Sequence, residues 1–325
     1  MKLFSLNASR TFAEKIAAWL GVELSAHEER EFEDGEHKAR PMVSVRGEDV
    51  YVVQSLHGGP GQSPNDKLCR LLFFLATMKE NGAARVTAVT PYLAYARKDR
   101  QTKPRDPVTT RYVAGLLEAA GANRVVTLDV HNIAAFQNAF RCETIHLDTR
   151  RLFAERAIAL LGDAPVVIAS PDPGGVKRAQ LFRERIEAML GRPVGGAFME
   201  KRRSAGVVSG TLLAGDVAGA TVLIIDDLIS SGGTMARAAQ ACREAGARTI
   251  YAFAAHGLFT GDAADALRHP DLAKTFITDT VPPFRLDEEL VVGRLEILSV
   301  APLFAGAILA LHEGGSINTL LEGSD

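Results

Sequence analysis

Short runs of β-branched and aliphatic residues alternate with amphipathic segments along the first half of the chain. The short runs predict buried strands, and the segments with apolar residues at helical spacing predict helices. In order, the predicted elements are a strand at Asp49–Gln54, a helix at Asn65–Asn81, a strand at Arg85–Thr90, a helix at Val108–Ala120 and a strand at Arg124–Asp129. This βαβαβ order indicates parallel strands joined by crossover helices.

The same alternation restarts in the second half. Its predicted elements are a strand at Pro165–Ser170, a helix at Gly174–Leu190, a strand at Thr221–Asp226, a helix at Gly232–Ala245, a strand at Arg248–Ala254 and short strands near Thr275–Thr278 and Leu295–Ser299. Gly121 and Gly246 follow predicted helices and are expected to end them, because glycine adopts positive φ at little cost. The predicted fold class is α/β, with two similar doubly wound domains, 1–147 and 148–325, each a mainly parallel sheet flanked by helices. The last helix is a candidate to pack back on the N-terminal domain.

The amino-acid composition excludes several classes of protein. The 325 residues are 47% hydrophobic and 23% charged, which excludes wholesale disorder. The net charge is −2, so no global field attracts nucleic acid or a membrane surface. The three cysteines form no CxxC pair, the N-terminus lacks a signal-peptide run, and the apolar stretch Ala301–Leu311 is too short to span a bilayer. These features predict a cytoplasmic protein with no nucleic-acid or membrane partner.

The strongest chemical pattern is Val222–Thr234, VLIIDDLISSGGT. A buried strand carries Asp226 and Asp227 to the sheet edge, where ligands bind in such folds. The glycine-containing loop that follows opens a helix, whose backbone N–H groups can cradle a phosphate. The carboxylates can accept hydrogen bonds from sugar hydroxyls. An ordinary βα turn is the alternative, which the acidic pair together with SSGGT disfavours.

Other strand ends carry charged groups that are weaker signals one by one. Phe32–Glu36 is an acidic turn, and Arg97–Arg105 holds five cations in nine residues. Asp129–His131 ends another strand, Asp172 follows the strand at Pro165–Ser170, and Lys201–Arg203 is a compact basic group. Each has a plain structural reading as a solvated loop or a structural histidine. Cations at a strand end in a chain without net positive charge favour polyphosphate binding.

Eight ordered segments together resemble the ribose-phosphate pyrophosphokinase (PRPP synthetase) family over nearly the whole chain. They are FxDGE at 32–36, RGxDVxxxQS at 46–55, PYxxYARxDR at 91–100, DxH at 129–131, SPDxGG at 170–175, KRR at 201–203, GDVAG at 215–219 and DDxIxxGGT at 226–234. The last of these is also the PRPP-binding motif of type I phosphoribosyltransferases. The chain departs from the family pattern at Lys98, Ala134 and Ser230, and in a longer loop at Leu56–Pro64.

The resemblance implies domains of the phosphoribosyltransferase type. It implies transfer of the pyrophosphoryl group of ATP to the 1-hydroxyl of ribose 5-phosphate, giving AMP and PRPP for nucleotide, histidine and tryptophan biosynthesis. Mg²⁺ is the implied cofactor and inorganic phosphate a candidate activator. The implied assembly is a homo-oligomer built from dimers, with the adenine site at a subunit interface. A PRPP-dependent phosphoribosyltransferase and a non-catalytic regulatory paralogue are the alternatives.

Carried over residue by residue, the resemblance also assigns roles. It implies catalytic roles for Lys201 and Arg203. It implies ATP binding by Phe32, Asp34, Gly35, Glu36, Arg97, Lys98 and His131. Ribose 5-phosphate is expected to meet Arg203, Asp226, Asp227, Ser230, Ser231, Gly232, Gly233 and Thr234, and Mg²⁺ to meet His131 and Asp172. Asp129 is expected to orient His131.

Overall fold

A parallel sheet of five strands forms the centre of the first unit, which comprises Met1–Asp148 and a C-terminal segment that begins at Ser299. The computed structural model describes residues 1–204 and 207–322, and for the strand residues between positions 201 and 211 it describes the backbone alone. The elements up to Asp148 are β1 (Lys2–Ser5), α1 (Arg10–Leu20), β2 (His27–Glu31), β3 (His37–Pro41), β4 (Asp49–Val53), α2 (Pro64–Glu80), β5 (Arg85–Thr90), α3 (Thr109–Ala119), β6 (Arg124–Leu128), α4 (Ile133–Ala139) and β7 (Glu143–Leu147).

The strand order of this sheet is β1-β4-β5-β6-β7, with every neighbouring pair parallel. Buried residues of α2, α3 and α4 form one hydrophobic cluster with Val50, Val52 and Val86 of the sheet. The strands β2 and β3 form a separate antiparallel hairpin. The sheet therefore brings the carboxyl ends of β4, β5 and β6 to one edge.

A seven-stranded sheet forms the centre of the second unit, Thr149–Leu298. Its elements are α5 (Arg150–Ile158), β8 (Val166–Ser170), α6 (Val176–Leu190), β9 (Gly195–Ser204), β10 (Val207–Ala214), β11 (Thr221–Ile229), α7 (Gly233–Glu244), β12 (Thr249–Gly257), α8 (Ala263–Leu267), β13 (Lys274–Thr278), α9 (Glu288–Arg294) and β14 (Leu295–Leu298). The strand order is β10-β9-β8-β11-β12-β13-β14, and only the β9–β10 pair is antiparallel.

Helices cover both faces of this second sheet. Val222 and Ile224 of β11 belong to the cluster that contains buried residues of α7, α8 and α9, whereas Leu223 and Ile225 belong to the cluster with α5 and α6. Because successive side chains of a strand point to opposite faces, a continuous apolar run is required in a strand buried on both sides. The central position of β11 therefore follows from its composition.

The C-terminal segment folds with the first unit. It forms α10 (Ala301–Glu313) and α11 (Ile317–Glu322), and α10 packs on α1, with the Phe12 and Phe304 rings 5.6 Å apart in an edge-to-face arrangement. His312 Nδ1 lies 3.0 Å from Asp49 Oδ2. The sequence-based division placed residues 148–325 in the second domain, with the last helix as a candidate to pack on the N-terminal one; the structure groups the segment from Ser299 with Met1–Asp148.

The predicted fold class is confirmed. All strands and helices predicted from periodicity are present, with ends displaced by a few residues, and Gly121 and Gly246 adopt φ of 93° and 91° after α3 and α7. The hairpin β2–β3, the helices α1, α4, α5, α8 and α9 and the strands β1, β7, β9 and β10 were not predicted; most of them are short, whereas α1 is as long and as amphipathic as the predicted α3. None of the helices in the described part of the chain has the length and apolarity needed to cross a bilayer.

Candidate active site

The loop between β11 and α7 is held in one shape by a tight packing contact and by hydrogen bonds. Gly232 has φ of 74°, and a Cβ at this position would lie 2.6 Å from Ala266 Cβ, so only glycine fits. The Thr260 N–H donates to Ser230 O at 2.9 Å, and the hydroxyl oxygens of Ser230 and Thr260 also lie 2.9 Å apart. The loop is therefore a preformed turn at the start of a helix, which suits a phosphate group.

The carboxylates of Asp226 and Asp227 lie at the end of β11, directly before this loop. The Asp227 side chain is buried and that of Asp226 is partly buried. Arg178 of α6 bridges the pair: its Nη1 lies 3.0 Å from Asp226 Oδ1 and 3.3 Å from Asp227 Oδ1. The Asp227 N–H also donates to Asp226 Oδ1 at 2.9 Å.

The charge of Arg178 alone does not balance two ionised carboxylates. Burial, followed by the charge of Asp227, raises the pKa of Asp226 to about 8, and Arg178 opposes that rise. Ionising Asp226 in the folded chain is therefore costly, because its charge is removed from water next to a like charge. A carboxylate in such an environment is typical of a functional position.

We expect the substitution Asp226→Asn to stabilise the ligand-free protein at alkaline pH. The folded-state pKa lies above the ordinary value of 3.8, so the stability that this residue contributes is present below that value and lost as the pH rises through about 8. Asparagine does not titrate and leaves Arg178 paired with Asp227. The expected gain is about 1 kcal/mol, or about 2–4 °C in Tm, above the folded pKa.

The measurement is Tm at about pH 5 and about pH 9 for both proteins, where the difference should grow with pH. Asp163→Asn, which alters an exposed carboxylate of the same unit, serves as the control and should show no such trend. A gain of the same size at both pH values, or a loss at the higher one, would contradict the expectation.

A small cavity joins the end of β8 to the first turn of α7. It is lined by Pro171, Asp172, Pro173, Met199, Thr234, Arg237 and Ala238. Asp172 Oδ1 accepts the N–H of Gly175 at 3.0 Å, which fixes the carboxylate in a turn before α6. Arg237 Nη2 donates to Thr234 Oγ1 at 3.3 Å. The structure thus brings together the predicted metal ligand Asp172 and the predicted phosphate ligand Thr234.

The predicted catalytic cations lie on the strand next to the edge strand β10 of the same sheet. Lys201 and Arg203 lie on β9, where their backbones pair with Thr211 and Val208 of β10. Their side chains lie outside the described part of the chain. Their catalytic roles therefore remain predictions.

In the first unit, the predicted adenine-binding residues form the turn of the β2–β3 hairpin. The Phe32 N–H donates to Glu36 O at 2.8 Å, the Gly35 N–H to Phe32 O at 3.0 Å, and the Glu36 N–H to Asp34 Oδ1 at 3.0 Å. The Phe32 side chain is 40% exposed, and the Arg30 guanidinium lies 5.1 Å from its ring centroid. The turn presents an exposed aromatic ring, which can stack with a base.

The loop after β5 contains an internal ion pair that the sequence did not predict. Lys98 Nζ donates to Asp106 Oδ2 at 2.5 Å and to Thr102 Oγ1 at 3.0 Å, whereas Arg97 is exposed. Hydrogen bonds from Lys98 and Thr102 hold the pKa of Asp106 well below its usual range. Of the two basic residues assigned to the nucleotide, Arg97 is the more exposed, and Lys98 is paired within its own loop.

The predicted ligand His131 lies beside this loop. It is exposed and follows β6 after Asp129, a non-glycine residue with φ of 37°. Its neighbour Asn132 donates from Nδ2 to Asp99 Oδ2 at 2.6 Å, which ties the end of β6 to the segment of Arg97 and Lys98. Positive φ at a residue of this kind is uncommon and is often found at functional positions.

Magnesium chemistry is compatible with these residues. Within the described side chains, no group of three or more His, Cys, Asp and Glu residues could hold a metal ion. Mg²⁺ does not need such a cluster, because it keeps several waters and commonly binds one or two protein ligands together with substrate phosphates. The oriented carboxylate of Asp172, on a cavity shared with Thr234, fits this mode of binding.

Sequence reasoning missed four residues around these sites. They are Arg178, Arg237, Thr260 and Asp106. Arg178 and Arg237 each lie three residues after the last residue of a recognised segment. Extending each segment by one helical turn would therefore have included them. Thr260 and Asp106 carry no motif, and only the folded chain shows their contacts.

Comparisons with known proteins identify the family to which the whole chain is similar. A family model described as the N-terminal domain of ribose phosphate pyrophosphokinase matches residues 1–121, and one described as a phosphoribosyl synthetase-associated domain matches residues 201–322. The ribose-phosphate pyrophosphokinase of Caldanaerobacter subterraneus subsp. tengcongensis is 41% identical over 98% of this chain and 97% of its own. That of Listeria ivanovii is 38% identical over 99% of this chain and 97% of its own.

A solved structure resembles this one over almost its whole length. It is the crystal structure of phosphoribosylpyrophosphate synthetase from Mycobacterium smegmatis, with a TM-score of 0.86, 34% sequence identity, and coverage of 97% of this chain and 99% of the other. The likeness therefore covers residues of both units.

Proposed function

The chain belongs to the ribose-phosphate pyrophosphokinase family, and we propose that it transfers the pyrophosphoryl group of ATP to the 1-hydroxyl of ribose 5-phosphate with Mg²⁺ as cofactor. The observation that carries the proposal is the junction of an acidic pair with a preformed helix-initiating loop at the end of β11. Such a junction can hold sugar hydroxyls and a phosphate of the same molecule.

The acceptor is proposed to bind in the second unit. The backbone amides and hydroxyls of Ser230, Ser231, Gly232, Gly233 and Thr234 would hold the 5-phosphate. The carboxylates of Asp226 and Asp227 would accept hydrogen bonds from the ribose hydroxyls. The rigid loop supports this proposal, because a preorganised cradle loses little conformational entropy when the anion binds.

The donor is proposed to bind residues of the first unit. Phe32 would stack with the adenine, and Asp34, Gly35 and Glu36 would meet its polar edge through the hairpin turn. Arg97, Lys98 and His131 would contact the phosphates. The sequence has no GxxxxGK[ST] segment, so the triphosphate is not held by a Walker A loop.

The reaction is an in-line displacement at the β-phosphorus of ATP. A bond forms between the ribose 1-oxygen and this phosphorus, the bond to the oxygen bridging the α- and β-phosphates breaks, and AMP leaves. His131 of the first unit and Asp172 of the second would each help to hold Mg²⁺ together with phosphate oxygens, and the metal would neutralise part of the triphosphate charge. Lys201 and Arg203 would stabilise charge on the migrating group, since such transfers depend chiefly on positioning and electrostatics.

The decisive experiment measures AMP and PRPP formed from ATP, Mg²⁺ and ribose 5-phosphate, with the donor nucleotide and inorganic phosphate varied. We expect stoichiometric AMP and PRPP that depend on all three components. Activity only with PRPP and a nucleobase would instead identify a transferase. Folded protein that makes neither product would favour a regulatory paralogue.

We also propose that the protein is a homo-oligomer in which Phe32 of one subunit serves the reaction centre of another. The exposed ring of Phe32 on the β2–β3 turn supports this proposal. Mixing Phe32→Ala with Lys201→Ala chains in equal amounts should then restore activity, up to about one quarter of the wild-type level when subunits pair at random.

The measurement is PRPP formation after the two variants have been unfolded and refolded together, with each variant treated alone as the control. If mixed oligomers are verified but no activity is recovered, the shared site is rejected, because detection of these oligomers shows that the two variants did assemble.

A further inference from the structure

Arg178 links the turn after β8 to the acidic pair of β11. It lies in the first turn of α6, which begins at Val176, directly after the turn that contains Asp172. Its side chain is 20% exposed, as is that of Asp226, and its Nη1 contacts one oxygen of each carboxylate. β8 and β11 are neighbours in the sheet, so this contact joins two adjacent strand ends.

The position of this guanidinium matters because the two carboxylates repel each other. Without the cation, the acidic side chains would turn apart or take up a proton, since burial already raises the pKa of Asp226. Arginine is always charged and its planar group presents donors in a fixed geometry. A single Nη1 that contacts Oδ1 of both residues therefore sets the direction of both carboxylates.

We infer that Arg178 is a positioning residue for the acceptor site, which holds Asp226 and Asp227 side by side so that the pair accepts hydrogen bonds from the ribose hydroxyls. The inference rests on the proposed binding of ribose 5-phosphate at β11. The guanidinium contacts both carboxylates at once, so it fixes them relative to each other. A ribose hydroxyl that reaches this pair would meet acceptors that are already directed, as tight polar recognition requires.

A purely structural role makes a different prediction. If Arg178 only joins α6 to β11, its loss lowers stability and affects both substrates alike through the amount of folded enzyme. If it directs the acidic pair, its loss weakens ribose 5-phosphate selectively and leaves ATP binding nearly unchanged. The ratio of the two KM values separates the two roles.

The test compares Arg178→Gln, Arg178→Lys and the control Lys177→Gln. Lys177 is the preceding residue of α6, is exposed, and donates to Gln180 at 3.4 Å instead of contacting the acidic pair. Arg178→Gln should raise the KM for ribose 5-phosphate by about 10–100-fold, with the KM for ATP changed by less than about 2-fold, as for other residues that orient a ligand-binding group. Arg178→Lys should recover part of the loss, because its charge remains but its fork is absent.

A second readout does not depend on turnover. The Tm increase produced by ribose 5-phosphate should nearly vanish in Arg178→Gln, whereas that produced by ATP with Mg²⁺ should remain. If Arg178→Gln does not fold, the same comparison on Arg178→Lys decides. Equal changes for both substrates, or an unchanged KM for ribose 5-phosphate, would overturn the inference. Wild-type protein that forms no PRPP would reject the proposed function itself, so the two failures are distinguishable.

Discussion

Replacing Lys201 with alanine is expected to lower kcat by about 10²–10³, or roughly 3–4 kcal/mol, with a much smaller change in either KM. Lys201 and Arg203 are two residues apart on β9, a spacing that in an extended strand directs side chains to one face. Two cations so placed can converge on one phosphoryl group. Stabilisation of charge that develops during transfer belongs mainly to the transition state, so its loss appears in kcat.

Steady-state kinetics at saturating Mg²⁺ measure this effect. Lys177→Ala removes a cation from the same unit outside the proposed site and should leave kcat near the wild-type value. Lys201→Arg should restore only part of the rate, because a planar fork cannot place its charge where a compact ammonium did. A near-normal kcat for folded Lys201→Ala would remove this residue from the catalytic group.

Replacing Gly232 with alanine should lower kcat/KM for ribose 5-phosphate by about 10²-fold. The left-handed conformation costs a non-glycine residue about 1–2 kcal/mol. The added methyl would also lie 2.6 Å from Ala266 Cβ, and such overpacking costs about 1–3 kcal/mol more. The loop would distort to relieve this strain, and the phosphate site would lose its geometry. Each 1.4 kcal/mol of lost interaction free energy lowers kcat/KM by about tenfold.

The adjacent glycine provides a matched control for this loop. A Cβ at Gly233 would meet Arg237 Nη1 at 3.2 Å, the end of a flexible side chain, and Gly233 does not have a positive φ. Gly233→Ala should therefore cost far less, and the double substitution Gly232→Ala with Ala266→Gly should recover the steric part of the loss. Kinetics for both substrates, together with Tm, measure the outcome. Equal losses at the two glycines would show that the strain at Gly232 does not control the site.

Features formed by residues close together in sequence were the easiest to predict from the sequence alone. The apolar run of β11 predicts its central place in the sheet, and the acidic pair and the loop follow it directly in the sequence. The turn that contains Asp172 and the hairpin turn at Phe32–Glu36 are likewise short contiguous segments. Local periodicity and short-range spacing need no knowledge of the remaining fold.

Contacts between distant segments required the folded chain. Arg178 and Asp226 are 48 residues apart, Ser230 and Thr260 are 30 apart, and Asp99 and Asn132 are 33 apart. Each pair meets because the sheet order places two strand ends side by side, and no local pattern encodes that order. The ion pair between Lys98 and Asp106 could not be predicted for a related reason: hydrogen bonds within a loop depend on the path of its backbone.

The chain's sequence alone was sufficient to specify the α/β class and the main elements, and it predicts a sugar-phosphate site, because periodicity, glycine placement and contiguous charges are local properties. Tertiary structure alone decided that Gly232 packs on Ala266 and that Arg178 bridges the acidic pair. Burial also decided the pKa of Asp226, since desolvation depends on which segments cover a side chain. These properties arise only when distant parts of the chain exclude water together.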